Sequence, residues 1–102
     1  MVVEVSEKNF DLVCSSGLVL IDFWAPWCGP CRVLSPVIDE LSEKYEQIKF
    51  CKVNVDDNQA LAAKFKVMSI PSVFILRDGK KVDSFVGALA QDAIAEKLDA
   101  QL

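Results

Sequence analysis

Two cysteines separated by two residues, Cys28 and Cys31, are the side chains best suited to chemistry in this sequence. They follow an apolar strand pattern at 18–25 and precede a helical pattern, so the sequence predicts them at a helix N-terminus. Free backbone N–H groups and the helix dipole stabilise a thiolate there and lower its pKa. Residues three apart in a helix lie roughly 5–6 Å from each other, a distance that an unstrained disulfide accepts. Cys28 is therefore the predicted nucleophile of a thiol pair that can open and close.

The two residues between the cysteines suit this exchange. Gly29 has no side chain that could cover the sulfur of Cys28. Pro30 fits the first helical turn because the N–H that proline lacks would have no intrahelical partner there. We therefore expect the sulfur of Cys28 to be uncovered and that of Cys31 to be shielded.

Asp22 is the third candidate, because it is a carboxylate between Ile21 and Phe23 in a strand predicted to be covered on both faces. Burial without a partner disfavours the charged form and raises the pKa of a carboxyl group. A carboxyl group that titrates near neutral pH beside two thiols can act as a general base. The alternative is an aspartate at a strand end that bonds to a loop. We interpret Asp22 as the base.

A zinc site or a structural disulfide is the alternative for the cysteine pair. A structural zinc ion needs a second closely spaced ligand pair, but Cys14 and Cys51 are far apart in sequence and the chain has no histidine. The sequence therefore predicts no bound metal. Cys14 is interpreted as a packed thiol, with a regulatory thiol as the alternative, and Cys51 is interpreted as a packed thiol. The lack of histidine also excludes Ser-His-Asp and Cys-His catalysis. With 52% hydrophobic residues, the 102-residue chain can form a core without disulfide staples.

The length of the chain predicts a single domain, residues 1–102. The net charge is −4 and the 11 basic residues are scattered, which argues against nucleic acid or a membrane surface as the main partner. No apolar run approaches the roughly 20 residues of a membrane span. The N-terminus lacks a secretory signal pattern. We therefore expect a cytoplasmic location, with an organellar one open if a transit peptide has been removed.

Hydrophobic periodicity predicts the order β-α-β-α-β-α, then a hairpin and a last helix. The predicted strands are residues 2–5, 18–25, 48–55, 73–76 and 81–86. The first predicted helix begins after Ser6 and ends at about residue 16, and the second begins at the cysteines and ends at about residue 46. The third begins after Asn58 and ends at about residue 65, and the last runs from about residue 91 to 101. Leu12 and Val33 are expected on apolar helix faces. Helical crossovers make the early strands parallel, and the Asp78–Gly79 turn makes the last two antiparallel. The predicted fold class is α/β, with a mixed central sheet and helices on both faces.

Residues 23–31, Phe-Trp-Ala-Pro-Trp-Cys-Gly-Pro-Cys, resemble the active-site signature of the thioredoxins, and the similarity runs through the whole chain. The resemblance implies the thioredoxin fold and a thiol-disulfide oxidoreductase that reduces disulfides in partner proteins. It implies that Cys28 attacks, that Cys31 resolves the mixed disulfide, and that Asp22 deprotonates Cys31. The Gly-Pro pair is similar to that of the reducing members of the superfamily, since oxidants and isomerases usually carry a histidine there.

The resemblance also implies roles that the sequence pattern leaves open. Lys52 could be a solvent-facing residue, but its match in thioredoxins lies beside the buried carboxylate and opposes the rise in its pKa. A proline at a strand start is ordinarily trans, whereas Pro71 matches a cis-proline that faces the cysteines and leaves the backbone of Ile70 free for strand addition. The surface implied to dock substrates consists of Trp27, Gly29, Pro30, Ile70, Pro71, Gly87 and Ala88.

The resemblance implies two kinds of partner. One is a disulfide-containing protein, and the other is a thioredoxin reductase, expected to be a flavoprotein that draws on NADPH. The chain itself is expected to be a monomer with no bound cofactor, its redox group being the Cys28–Cys31 disulfide. Two other classes stay open, a redox-inert binding module and a metal carrier that uses the cysteine pair. Neither of them gives Asp22 or Pro71 a purpose.

Overall fold

The computed structural model describes residues 1–102, with strands and helices in the order that the sequence predicts. The strands are β1 (Val2–Glu4), β2 (Leu18–Trp24), β3 (Lys49–Asn54), β4 (Ser72–Arg77) and β5 (Lys80–Val86). The helices are α1 (Phe10–Cys14), α2 (Gly29–Lys44), α3 (Gln59–Lys64) and α4 (Gln91–Asp99). None of the helices has both the length and the apolar composition that crossing a membrane requires.

The strands form one mixed sheet in the order β1-β3-β2-β4-β5. Both β1 and β2 pair in parallel with β3, whereas β4 runs antiparallel to β2 and to β5. The predictions of parallel early strands and of an antiparallel terminal hairpin are therefore confirmed. β2 lies at the centre of the sheet, and the chain passes from its C-terminal end into the cysteine segment.

Alternate side chains of β2 contribute to two buried cores on opposite faces of the sheet. Leu18 and Leu20 pack with residues of α2 and α4 on one face. Val19, Ile21 and Phe23 pack on the other face, where four phenylalanine rings meet at centroid separations from 5.0 to 5.6 Å. Because both faces are covered, the sequence of β2 is almost continuously apolar.

The first helix is shorter than predicted, and the prediction that Leu12 is buried is wrong. The backbone N–H of Ser6 donates to Oδ1 of Asn9 at 2.7 Å, so the residues after β1 form a turn and α1 begins only after Asn9. The five-residue helix turns Cys14 toward the sheet and leaves Leu12 85% exposed. On α2, Val33 is also exposed, because the buried stripe follows Cys31, Leu34, Ile38 and Leu41.

Candidate active site

Cys28 and Cys31 form a disulfide across the first turn of α2, with their Cα atoms 5.3 Å apart. Cys28 is the N-cap residue of α2, and Pro30 lies in the first turn as predicted. The backbone N–H of Cys31 donates to Sγ of Cys28 at 3.2 Å. In the reduced protein this N–H and the positive end of the helix dipole favour a thiolate at Cys28.

The two cysteines do not differ in exposure in the way that the sequence predicts. Cys28 is 5% exposed and Cys31 is 3% exposed. The side chains of Trp24, Val55 and Ile70 pack against the cluster formed by the disulfide and Ala25, and Val55 and Ile70 come from distant segments of the chain. Surroundings distinguish the two sulfurs instead. Sγ of Cys28 lies 3.7 Å from the carbonyl oxygen of Ile70, whereas Cys31 lines a cavity that it shares with Asp22.

Asp22 is buried in β2, with 4% of the residue exposed, and its Oδ1 has no hydrogen-bond partner. The cavity beside it has a volume of about 50 Å³ and is lined by Asp22, Trp24, Cys31, Ser35 and Lys52. Burial raises the pKa of Asp22 to about 7, as the sequence predicts in direction. A carboxyl group that can take up a proton near neutral pH therefore lies at the same cavity as Cys31.

Of the two positions predicted for Lys52, facing solvent or lying beside the buried carboxylate, the structure shows the second. The β2–β3 pairing places the two residues opposite each other, so their side chains lie on the same face of the sheet. The ammonium group lowers the pKa of Asp22 and so opposes the effect of burial. Nζ of Lys52 lies 5.4 Å from the centre of the Trp24 ring, and it makes no ion pair with Asp22 within 4 Å. Lys52 thus moderates the pKa of Asp22 without neutralising it.

We expect the substitution Lys52→Met to raise the pKa of Asp22 above about 7, because it removes the cation that opposes burial. An NMR titration of the Asp22 carboxyl carbon in the reduced protein measures this shift. Lys49→Met is the matched control, since it removes the same charge from the same strand but from a position three residues away, on the other face. An equal shift in both variants would mean that net charge, and not proximity, determines the pKa of Asp22.

The loop before β4 presents unpaired backbone near the disulfide. The Ile70–Pro71 peptide bond is cis, as the resemblance implies. The N–H of Gly87 donates to the carbonyl of Pro71 at 2.8 Å, which joins this loop to the one after β5. The N–H and C=O groups of Ile70 make no backbone hydrogen bond, so both are available to an extended segment of another chain.

The residues expected to dock substrates lie mostly at the surface. Trp27 is 66% exposed, and its Nε1 donates to Oδ2 of Asp56 at 2.9 Å, which holds the indole at the rim of the site. Gly29, Pro30 and Ala88 are exposed, and Ile70 and Gly87 are partly exposed. Pro71 differs from this expectation because it is buried and offers little surface.

Sequence reasoning missed four residues around the site. Asp56 has no assigned role in the sequence analysis, yet it accepts the hydrogen bond of the Trp27 indole. Ser35 lines the cavity of Asp22, and Met68 and Val86 expose large apolar side chains beside the docking loops. The signal for Met68 is a large apolar side chain in a loop segment that lacks hydrophobic periodicity, because such a side chain is exposed and available for contact with another molecule.

The remaining two cysteines belong to the second core. Cys14 and Cys51 are both unexposed, form no disulfide and pack in the same apolar cluster, which agrees with their interpretation as packed thiols. No three side chains of the kinds that ligate metals through carboxylate, thiolate or imidazole come together at one point.

Comparison with known proteins places this arrangement in a family. The sequence profile of the family described as Thioredoxin matches residues 1–100. The thioredoxin of Staphylococcus haemolyticus is 45% identical over 102 residues, which cover 99% of this chain and 98% of that protein. Thioredoxin 1 of Synechococcus elongatus is 48% identical over 101 residues, covering 96% and 94% of the two chains. Similarity of this extent, together with a disulfide at the start of α2, shows that the chain belongs to the thioredoxin family of thiol-disulfide oxidoreductases.

Proposed function

We propose that the protein works as a single domain in which Cys28 attacks a disulfide of a partner protein and Cys31 releases the product. The Cys28 thiolate bonds to one sulfur of the partner, the partner's S–S bond breaks, and its second sulfur leaves as a thiolate that takes up a proton. The Cys31 thiolate then bonds to Cys28 and displaces the first sulfur, so two electrons have passed to the partner. The observation that carries these roles is the N-cap position of Cys28, whose sulfur accepts the N–H of Cys31.

Asp22 is the base that prepares Cys31 for the second step. It accepts the thiol proton of Cys31 directly or through a water molecule, and the shared cavity of about 50 Å³ is large enough for one. A general base works best when its pKa lies near the working pH. Burial and Lys52 together hold the pKa of Asp22 at about 7, which supports this role.

Substrates dock by strand addition to the free backbone of Ile70, next to the sulfur of Cys28. We assign the surrounding contact surface to Trp27, Gly29, Pro30, Gly87 and Ala88, which are apolar or small and at least partly exposed, and the positioning of Ile70 to Pro71. Once the mixed disulfide has formed, the attack by Cys31 is intramolecular and benefits from a high effective concentration. Docking and tethering together make the exchange fast although both cysteines are largely buried.

The oxidised protein is returned to the dithiol form by a thioredoxin reductase, and we propose that this partner is a flavoprotein that uses NADPH. We further propose that the protein acts as a monomer in the cytoplasm, without a bound cofactor and without nucleic acid or membrane as a partner. The scattered basic residues and the net charge of −4 support the last point.

A coupled turnover assay tests the proposal. NADPH, an NADPH-dependent flavoprotein reductase and a disulfide-bonded protein such as insulin are mixed with the protein, and loss of NADPH absorbance is followed. We expect turnover that depends on the concentration of the protein and that disappears in the double variant Cys28→Ser/Cys31→Ser. Turnover in the double variant would contradict the proposed chemistry. It would favour the alternative that the chain is a redox-inert binding module.

A further inference from the structure

A second groove lies next to the docking loops, between the segment that follows α3 and the edge strand β5. It has a volume of about 360 Å³, and its lining includes Lys66, Met68, Ser69, Lys81 and Val86; we refer to it as the Lys66–Lys81 groove. Met68 is 93% exposed and Val86 is 64% exposed. Large apolar side chains exposed together beside a binding site indicate contact with another molecule.

The charge of this groove is opposite to that of the whole protein. The chain has a net charge of −4, yet the lining of the groove includes two lysines and no acidic residue. Neither Lys66 nor Lys81 lies within 4 Å of a carboxylate of this chain. Two unpaired ammonium groups beside exposed apolar surface are complementary to a segment that carries both carboxylates and an apolar side chain.

The groove is continuous with the proposed docking surface. Ser69 and Ser72, which both line it, are the neighbours of the Ile70–Pro71 bond. Val86 comes directly before Gly87, whose N–H is bonded to the carbonyl of Pro71. An extended chain advances by about 3.3 Å per residue, so a segment paired with Ile70 reaches the groove within a few residues of the cysteine under attack.

We propose that the Lys66–Lys81 groove selects disulfide-containing proteins in which the extended segment next to the attacked cysteine carries an apolar side chain and one or more carboxylates. Met68 and Val86 contact the apolar side chain, and Lys66 and Lys81 attract and pair with the carboxylates. The inference rests on docking by strand addition at Ile70, as proposed above. The exchange chemistry at Cys28 and Cys31 is unchanged, and the groove acts on the rate of productive docking.

Three peptides with one internal disulfide test this inference. They have identical sequences with Leu near the cysteine, except that two neighbouring positions carry Glu, Gln or Lys. Each peptide is mixed with the reduced protein, and the peptide dithiol formed in a single turnover is quantified by mass spectrometry after acid quenching. The variant Lys66→Gln/Lys81→Gln is compared with Lys8→Gln/Lys44→Gln, which changes the net charge equally at exposed residues outside the groove.

We expect the unchanged protein to reduce the Glu peptide about three- to tenfold faster than the Lys peptide, the size of effect that two exposed ion pairs produce. The preference should shrink as salt concentration rises. The groove variant should lose the preference while still reducing the Gln peptide at the original rate, and the control variant should retain the preference. Met68→Gln should slow all three Leu-containing peptides to a similar degree.

Three results would overturn the inference. They are equal rates with all three peptides, loss of the preference in the control variant, and an equal slowing of the Gln and Glu peptides by the groove substitutions. In each of these cases reduction of the Gln peptide would show that the dithiol exchange itself stands. A failure to reduce any peptide would instead contradict the proposed function.

Discussion

Replacing Cys31 with serine is expected to stop turnover and to trap partner proteins on Cys28. The variant Cys31→Ser retains the thiol that attacks but lacks the one that releases the partner, so the reaction halts at the mixed disulfide. External thiols can complete the second step only by a bimolecular route, which lacks the effective concentration of a tethered group, and we expect turnover to fall by at least about a thousandfold. Mass spectrometry of the reaction mixture should show the covalent adduct.

Cys28→Ser should lose turnover to the same extent but form no adduct, because a serine hydroxyl does not attack a disulfide at neutral pH and the remaining thiol, that of Cys31, lines the cavity beside Asp22. Cys51→Ala is the matched control, since it removes a buried thiol from the second core and should leave turnover intact. An adduct in the Cys28→Ser variant would mean that the two roles have been assigned in the wrong order. Wild-type turnover in Cys31→Ser would mean that Cys31 is not the thiol that releases the partner.

The parts of the site that follow from the sequence are those encoded within one local segment. The unbroken apolar run of β2 predicts a strand covered on both faces, and the two cores confirm it. Asp22 stands out because a carboxylate interrupts that run, and its burial and raised pKa agree with the prediction. The N-terminal position of Cys28 on α2 likewise follows from its neighbours in sequence.

The parts that could not be predicted depend on segments that meet only after folding. The burial of Cys28 arises from Val55 and Ile70, which are distant in sequence. Whether Lys52 faces solvent or Asp22 depends on the register between β2 and β3, and alternation along one strand does not determine that register. The cis form of the bond before Pro71 is contrary to the general preference of proline, so only the resemblance to thioredoxins pointed to it.

Asp22→Asn is expected to stabilise the protein above pH 7. Burial raises the pKa of Asp22 from 3.8 to about 7 in the folded state. Its contribution to stability is therefore fully present below pH 3.8 and is lost as pH rises through about 7. At about 1.36 kcal/mol for each pKa unit, wild type loses up to about 4 kcal/mol over this range. Asparagine stays uncharged, so urea unfolding at about pH 8 should show a gain of about 2–4 kcal/mol for the variant.

The same substitution should slow the resolving step, although by less than the loss of a cysteine. A cysteine thiol with an ordinary pKa is already a few per cent thiolate at pH 7, so a base can accelerate its attack by no more than about thirtyfold. We expect the mixed disulfide of Asp22→Asn to decay about ten- to thirtyfold more slowly than that of wild type near pH 7. The difference should narrow as pH rises, because hydroxide then competes as an acceptor for the proton that Asp22 would otherwise take up.

Asp57→Asn separates a general loss of charge from the removal of this base. Asp57 is an exposed carboxylate in the loop after β3, so its replacement should change neither the pH dependence of unfolding nor the decay of the mixed disulfide. If the free energy of unfolding of wild type does not fall between pH 4 and 7 relative to Asp22→Asn, burial does not raise the pKa of Asp22. If both proteins resolve the mixed disulfide with the same pH profile, Cys31 loses its proton to another acceptor, and the cavity that joins Asp22 to Cys31 has no part in the reaction.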